Sequence, residues 1–493
     1  MTSGDRGAAP RGEAAVRAVG GGMAVPPVAA AAVGAAAASR GRDTAPGPAR
    51  PAGAPPDADA RRRGRPPARD EILRGDRLGG IDAADLAVRF GTPFYVYDLD
   101  VIGRQVDALR AALPPGVEIA YAVKANPALA VVAHLGNLGL GADVASGGEL
   151  ATARLAGVPA DRIVVTGPGK RETELGAAVA AGVRAITVES PGELDRLERI
   201  AAEGSRRVPV LLRASVGAAD GLERVRLVGD DGAGKFGMDE PDLRMAARSA
   251  ARSRHLELLG IHRFGASNVL EAARLATHVE ETVDLARSVT AHAKVPLRLV
   301  DAGGGLGIPY EPSENSLDVG GFGRRLHALS AGWATTPGLR DLRLLLEPGR
   351  YLVAAAGAYV ARVVDRKRVG DAEVAILDGG VHHLLRPALV GQEHRVRILG
   401  TDSMTARSWP VTIAGPLCSG LDVFAANATL PAPAVGDLVA VLDAGAYGFT
   451  ESMPLFLSHA IPAEVAVRGG RAALIRPRVE PAEWLGKQLM PAW

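Results

Sequence analysis

The chain runs to 493 residues, of which 47% are hydrophobic and 23% charged, with a formal net charge of +2. That is the make-up of a globular protein too long for one ordinary core, at ~150 residues per domain, and nothing in its charge argues for nucleic acid. A single cysteine, Cys418, excludes an intrachain disulfide, and no apolar run reaches the ~20 residues of a membrane span. A cytoplasmic protein that binds neither nucleic acid nor membrane is expected.

In chain order, residues 1–75 come first, built from Ala, Gly, Pro and Arg, with no aromatic residue before Phe90. Such a segment cannot bury enough apolar surface to offset its ordering entropy, so a disordered tail is expected, with Met23 an alternative start. Residues 76–100 turn globular, and Thr92-Pro93-Phe94-Tyr95-Val96-Tyr97 reads as a strand. Short apolar runs then alternate with Ala-, Leu- and Arg-rich stretches of helical spacing, such as Gly148 to Ala156 and Ala272 to His292. The predicted strands are Glu118–Val123, Ala142–Ala145, Arg162–Thr166, Ala185–Val188, Pro209–Arg213, Leu256–His262, Leu297–Val300 and Arg343–Leu346. Eight strands, each followed by a helix-sized segment, predict an α/β fold with a closed (β/α)8 TIM barrel over residues 101–348; a doubly wound open sheet is the alternative. Beyond Pro348 the alternation stops. Short strands with turn residues (Ala358–Asp365, Glu373–Leu377, Val411–Ile413, Asp437–Leu442, Glu464–Val467 and Ala472–Arg476) predict an antiparallel β-domain over residues 349–493. The strand near Tyr95 is expected to join its sheet.

Lys124 ends the apolar run Val117 to Val123, and Asn126-Pro127 breaks the strand just after it. An amine projected from a strand's carboxyl end into a protected mouth suits a Schiff-base nucleophile, because partial desolvation lowers its pKa. Taken alone, a strand-capping surface lysine is the simpler reading. Active sites of such barrels lie at the carboxyl ends of the strands, with phosphate held after strands seven and eight. Asp301-Ala302-Gly303-Gly304-Gly305-Leu306-Gly307 follows the seventh strand, where glycines let backbone N–H groups close around an anion; a sharp turn explains them equally well. After the eighth, Glu347-Pro348-Gly349-Arg350 offers a carboxylate and a guanidinium, with a surface ion pair as the alternative.

Tyr121–Pro127, Gly141-Ala142-Asp143-Val144-Ala145-Ser146, Lys235-Phe236-Gly237-Met238, Gly303–Gly307, Glu347–Arg350, Gly415-Pro416-Leu417-Cys418 and Gly445-Ala446-Tyr447-Gly448 follow one another along the chain. In this order they resemble the motifs of pyridoxal-phosphate-dependent decarboxylases of the alanine-racemase-like fold, a family that includes diaminopimelate and ornithine decarboxylases. The resemblance spans Gly91 to Val467. It implies pyridoxal 5'-phosphate as cofactor, a barrel plus β-domain, and a homodimer with shared active sites. It also implies Lys124 as the Schiff-base lysine, with Asp143 near the lysine and ring. The implied phosphate grip is Gly303, Gly304, Gly305, Ser267, Arg350 and Tyr447, and Gly349 is a further implied cofactor contact. Glu347 resembles the carboxylate facing the pyridine nitrogen, where it keeps that nitrogen protonated so that the ring accepts the electrons released as CO2 leaves. An arginine there, the alanine-racemase pattern, weakens that sink, so decarboxylation is favoured over racemisation. Cys418, by itself a small hydrophobe, resembles the cysteine that the neighbouring subunit supplies to reprotonate Cα. A non-catalytic cofactor-binding protein is disfavoured, because both Lys124 and Cys418 are present.

Several positions depart from the best-known members. Ser419 follows the cysteine where a glutamate or aspartate reads the substrate's far ammonium. Arg386 is present, but Val390 stands where diaminopimelate enzymes carry tyrosine, and Phe264 replaces the ring-stacking histidine. Phenylalanine keeps the stacking and drops the titratable group. Together with Asp378-Gly379-Gly380-Val381-His382-His383 and Phe456-Leu457-Ser458-His459, these features resemble the exosortase-associated and butirosin-type branch, although Gly265-Ala266-Ser267-Asn268 differs from its usual Ala-Gly-Ser-Gln. The butirosin member acts on glutamyl groups tethered to an acyl-carrier protein, which makes loss of the acidic reader sensible. Substrate contacts are expected from Arg350, Arg386, Ser419 and Tyr447. His382 and His383 lack further ligands for a metal, so a structural or substrate-facing role is expected and no metal. The expectation is an α-decarboxylase of a carrier-linked or modified acidic amino acid in specialised biosynthesis. Diaminopimelate decarboxylase and an amino-acid racemase are the alternatives.

Overall fold

The computed structural model describes residues 72–215, 234–370, 372–400 and 408–491. The tail expected over 1–75 falls almost wholly outside them. Its last residues do not behave as a tail, since Ile72 and Leu73 are buried against the β-domain strands. Leu73–Arg74 (β1), Arg77–Leu78 (β2) and Ile81–Asp82 (β3) form a small antiparallel sheet there.

The next strand, Phe94–Asp98 (β4), precedes the barrel in sequence but belongs to the large sheet. The barrel comprises Val117–Ala122 (β5), Gly141–Val144 (β6), Ile163–Val165 (β7), Ala185–Val188 (β8), Val208–Arg213 (β9), Leu256–His262 (β10), Leu299–Asp301 (β11) and Arg343–Leu346 (β12). It is closed and parallel throughout, with β12 against β5. The open-sheet alternative is therefore excluded.

Local chemistry sets the βα punctuation. Ser146, Ser190 and Asp239 each accept a backbone N–H three residues on, which caps the helices Gly147–Leu155, Pro191–Glu203 and Glu240–Arg252. β-Branched runs such as Ile163-Val164-Val165 make the strands, and the period of two splits them between cores. Val164 joins Ala120, Ala185, Leu211, Leu299 and Leu345 in one small cluster. Ile163 and Val165 pack instead into the large core that holds the helices.

After the barrel, Gly357–Val369 (β13) runs through the centre of the second domain. Flanking it are Ala372–Leu377 (β14), Val396–Leu399 (β15), Ser408–Ala414 (β16), Val423–Pro431 (β17), Leu438–Val441 (β18), Ala463–Arg468 (β19) and Arg471–Arg476 (β20). As expected, the strand around Tyr95 joins this sheet, with β4 lying antiparallel to β13. The sheet is mixed, which corrects the expectation of an antiparallel one: β19 runs parallel to β4 and β14 parallel to β16. Strands β15 and β17 were not anticipated. Val423–Pro431 reads VFAANATLP with only Phe424 buried, so it lacks the apolar alternation that marks a strand.

Candidate active site

The carboxyl ends of seven of the eight barrel strands (all but β8) and one β-domain loop converge on a single cavity of about 210 Å³. Lys124 lies in the 3-10 turn Val123–Ala125, directly after β5. Tyr121 donates its hydroxyl to the Asn126 carbonyl (3.0 Å), and Asn126 Nδ2 donates to the Gly445 carbonyl (3.0 Å). The Tyr447 N–H donates to the Ala125 carbonyl (2.7 Å), with Tyr447 held at φ 53°. Gly445 permits this docking, because a Cβ there would sit 1.9 Å from the Val353 carbonyl oxygen. The lysine turn and the β-domain loop are thus clamped together through backbone groups.

Nine of the anticipated residues line the cavity: Lys124, Phe264, Ser267, Gly304, Gly305, Glu347, Gly349, Arg350 and Tyr447. Asp143, on β6, lies beneath them with its Oδ2 2.7 Å from Lys124 Nζ; its other oxygen accepts from the Thr166 hydroxyl. Gly303 backs Phe264, since a Cβ at Gly303 would lie 3.0 Å from the phenylalanine ring. Arg350 donates to the Tyr310 hydroxyl (2.9 Å) and to Ser267 Oγ (3.3 Å), and its guanidinium carbon lies 4.7 Å from the Tyr447 ring centre. Asn268 Oδ1 accepts the Ile308 N–H (3.0 Å), tying the 265–268 turn to the glycine loop.

The glycines do different work. Gly303 and Gly305 have φ of 64° and 89°, a region that L side chains rarely enter. Gly304 is needed for closeness, because its Cβ would be 2.3 Å from the Glu347 carbonyl oxygen. In the same loop pair, the Glu347 N–H donates to the Gly303 carbonyl (2.7 Å).

Lys124 corrects an expectation. Burial does pull the ammonium's pKa down, but Asp143 and Glu347 outweigh it and hold the pKa above the ordinary lysine range. The bare amine is therefore the cation of an ion pair, not a desolvated free base. Burial, with Glu347 nearby, raises the Asp143 carboxyl, and Lys124 opposes that shift. For Glu347 burial acts upward, yet His262 and Lys124 bring its carboxyl down to about 2.

Cys418, Ser419 and Arg386 are not among the described residues that line the cavity. Cys418 is exposed on a β-domain loop. Buried Asp422 shapes that loop by accepting the N–H groups of Leu417 and Val381, both at 2.7 Å. Arg386 is buried beside Tyr447, 4.8 Å from its ring centre, and is paired with Glu451 at 2.9 and 3.2 Å. His382 and His383 are buried and line no part of the cavity. His383 bonds Tyr359 (3.0 Å) and the Ala460 carbonyl (2.9 Å), so it has a structural place in the sheet domain.

Other lining residues were not anticipated. Arg213, at the end of β9, pairs with Glu189 at 2.6 Å and faces the Phe236 ring at 4.5 Å. His262 ends β10 in the same way, and Thr166 follows β7 by one residue. The available signal was position alone, at the carboxyl terminus of a barrel strand.

A barrel with an ion-paired lysine, a glycine cradle, a buried guanidinium and a buried carboxylate after its eighth strand has the parts of a phosphate-bearing carbonyl cofactor site. The fit to pyridoxal phosphate is chemical as well. Glu347 Oε1 is buried and accepts no hydrogen bond among the described residues, which leaves an acceptor for a ring N–H. Residues 99–354 match the family described as pyridoxal-dependent decarboxylase, pyridoxal binding domain, and the chain belongs to that family. It is 34% identical over 402 residues to the L-glutamyl-[BtrI acyl-carrier protein] decarboxylase of Niallia circulans, covering 79% of this chain and 92% of that one. Against the diaminopimelate decarboxylase of Methanothermobacter thermautotrophicus the identity is 36% over 418 residues, covering 84% and 96%. The diaminopimelate decarboxylase of M. jannaschii in complex with L-lysine superposes with a TM-score of 0.78 at 27% identity, covering 86% of this chain and 99% of that one. The protein is a pyridoxal-phosphate-dependent decarboxylase. No helix among the described residues is long and apolar enough to cross a membrane.

Proposed function

We propose that the protein removes the α-carboxylate of an acidic amino acid presented on an acyl-carrier protein or otherwise modified at its distal end, within specialised biosynthesis. The observation that carries this reading is the Arg386–Glu451 pair beside Tyr447. Arg386 carries the charge that would read a free distal carboxylate, and Glu451 already neutralises it. Ser419, after the cysteine, offers no carboxylate for a distal ammonium either. A side chain capped as amide or thioester asks for neither charge. The relative from Niallia circulans, named for an acyl-carrier-linked glutamyl substrate, supports the same reading.

Pyridoxal phosphate, when bound, supplies the conjugated ring that takes up the electron pair freed as CO2 departs. Lys124 is the residue that would hold it covalently, and Asp143 fixes the amine's position and protonation. Arg350, Ser267, Tyr447, Gly349 and the N–H groups of Gly303 to Gly305 would take the phosphate. Phe264 would cover one ring face, and Glu347 would keep the ring nitrogen's proton. Cys418, from the neighbouring subunit of a homodimer, would return a proton to Cα. A second reading, free meso-diaminopimelate as substrate, is favoured by the diaminopimelate decarboxylases among the relatives.

The test is a panel of free and carrier-loaded amino acids scored by mass loss of CO2. Loss from carrier-linked glutamate, with none from free diaminopimelate, is expected. Turnover of free diaminopimelate at an ordinary ~10 per second would overturn the substrate assignment. Deuterium uptake at Cα without CO2 release would point to racemisation instead.

A further inference from the structure

Three titratable side chains stand at the ends of three neighbouring barrel strands. His262 closes β10, Asp301 closes β11, and the two are register partners. Glu347 follows β12 by one residue. All three are buried, and their ligating atoms lie within 4.8 Å of one another. His262 Nε2 is 3.4 Å from Glu347 Oε2. Asp301 accepts the Gly303 N–H on Oδ1 (2.9 Å), and its carboxyl faces Glu347.

We propose that His262 is a positioning residue that acts on the cofactor ring through Glu347, with Asp301 serving as a neutral acid beneath the pair. The proposal rests on Glu347 facing the ring nitrogen, as in the proposed function. In this buried layer the charges must balance among the groups present. Two carboxyls this close cannot both ionise without a counter-charge. Besides each other, the groups facing Glu347 are His262, Lys124 and, farther off, Asp143. Lys124 is committed to Asp143 at 2.7 Å and to the cofactor once loaded. His262 Nε2, 3.4 Å from Oε2, is then the side chain placed to orient that oxygen and leave Oε1 to the ring. The two carboxyls split accordingly: burial and Glu347 push Asp301 well up, while Glu347 is held down. Asp301 also joins this layer to the phosphate loop through Gly303, so ring contact and phosphate contact share one support. The chain thus lacks a titratable group at the stacking position, Phe264, and carries one two residues earlier, under the ring nitrogen's carboxylate.

The experiment compares His262→Gln, His262→Asn, Asp301→Asn and Glu347→Gln in the loaded enzyme. Cofactor affinity, melting temperature, the pH dependence of cofactor absorbance, kcat and KM are read for each. For His262→Gln the absorbance transition and the acid limb of kcat should move up by at least one pH unit. At neutral pH kcat should fall about tenfold or more, with KM within about twofold and the cofactor still bound. Asp301→Asn, the isostere of a protonated acid, should leave the pH dependence of cofactor absorbance unmoved. If His262→Gln keeps the wild-type absorbance profile and kcat while Glu347→Gln changes both, the inference fails and the Glu347 assignment stands. An unchanged spectrum in Glu347→Gln would instead remove the assignment on which it rests. Should neither His262 variant retain cofactor, Asp301→Asn decides: a displaced absorbance profile means an ionised Asp301 and overturns the proposal, and an unmoved profile supports it.

Discussion

Replacing Gly304 with alanine isolates the close approach of the two phosphate-side loops. Gly304 does not have a positive φ, so the substitution adds a methyl without demanding a forbidden backbone. That methyl would lie 2.3 Å from the Glu347 carbonyl oxygen and 3.2 Å from its carbon, whereas ordinary contact begins at 3.4 Å. Both neighbours are backbone, so the loops must part by about 1 Å, twice the ~0.5 Å tolerance of a working constellation. Overpacking of this kind costs ~1–3 kcal/mol. If the strain is relieved by opening the cradle, cofactor affinity drops about 10- to 100-fold, at ~1.4 kcal/mol per decade. The assay is absorbance titration of the apoprotein with pyridoxal phosphate, alongside thermal melting. Gly332→Ala is the control: it lies in the helix Val319–Thr335 with nothing within 4 Å of its Cβ, and alanine should leave melting equal or higher. A Gly304→Ala protein with wild-type cofactor affinity and melting would refute the steric reasoning.

Two further outcomes follow from the described groups. Burial, reinforced by the guanidiniums of Arg386, Arg350 and Arg395, brings His394 down to about 4, against its bond to the Leu442 carbonyl. Its neutral form stabilises the fold fully above the unfolded ~6.5 and loses that contribution as pH falls towards 4. Urea unfolding should therefore show ~2 kcal/mol lost between pH 7 and 5 from this group, and His394→Gln should flatten that slope; an equal slope in both proteins counts against it. Cys418→Ala should bind cofactor and melt as wild type while kcat falls by ~10²–10⁴. Mixed equally with Lys124→Ala, it should regain about a quarter of wild-type activity if each site draws on two subunits. No recovery on mixing contradicts the shared site.

Much of the barrel was legible because its signal is redundant. Ala185–Val188, Leu256–His262 and Arg343–Leu346 have the anticipated ends, and each is a dense apolar run set off by polar or glycine neighbours. Val396–Leu399 and Val423–Pro431 escaped because the first is short and the second is only partly buried, and such strands lose the alternation that betrays them. Lys124, Asp143, the glycine run and Glu347 could be named from motif order, and they do meet at one mouth. Their protonation could not be named. The expected lowering at Lys124 considered burial alone, and two carboxylates brought in by other strands reversed it. His262 went unassigned for a related reason, since its partner lies 85 positions away and only closure of the barrel brings them together. Cys418 is legible as a residue but not as a geometry, because it is exposed and is not among the described residues that line the cavity.

The most direct test is to reduce the loaded enzyme with borohydride, digest it, and locate the retained cofactor by mass spectrometry. The label is expected on the peptide carrying Lys124, and should be lost in Lys124→Ala with the fold intact. A label on another lysine, or one that survives in Lys124→Ala, would contradict it.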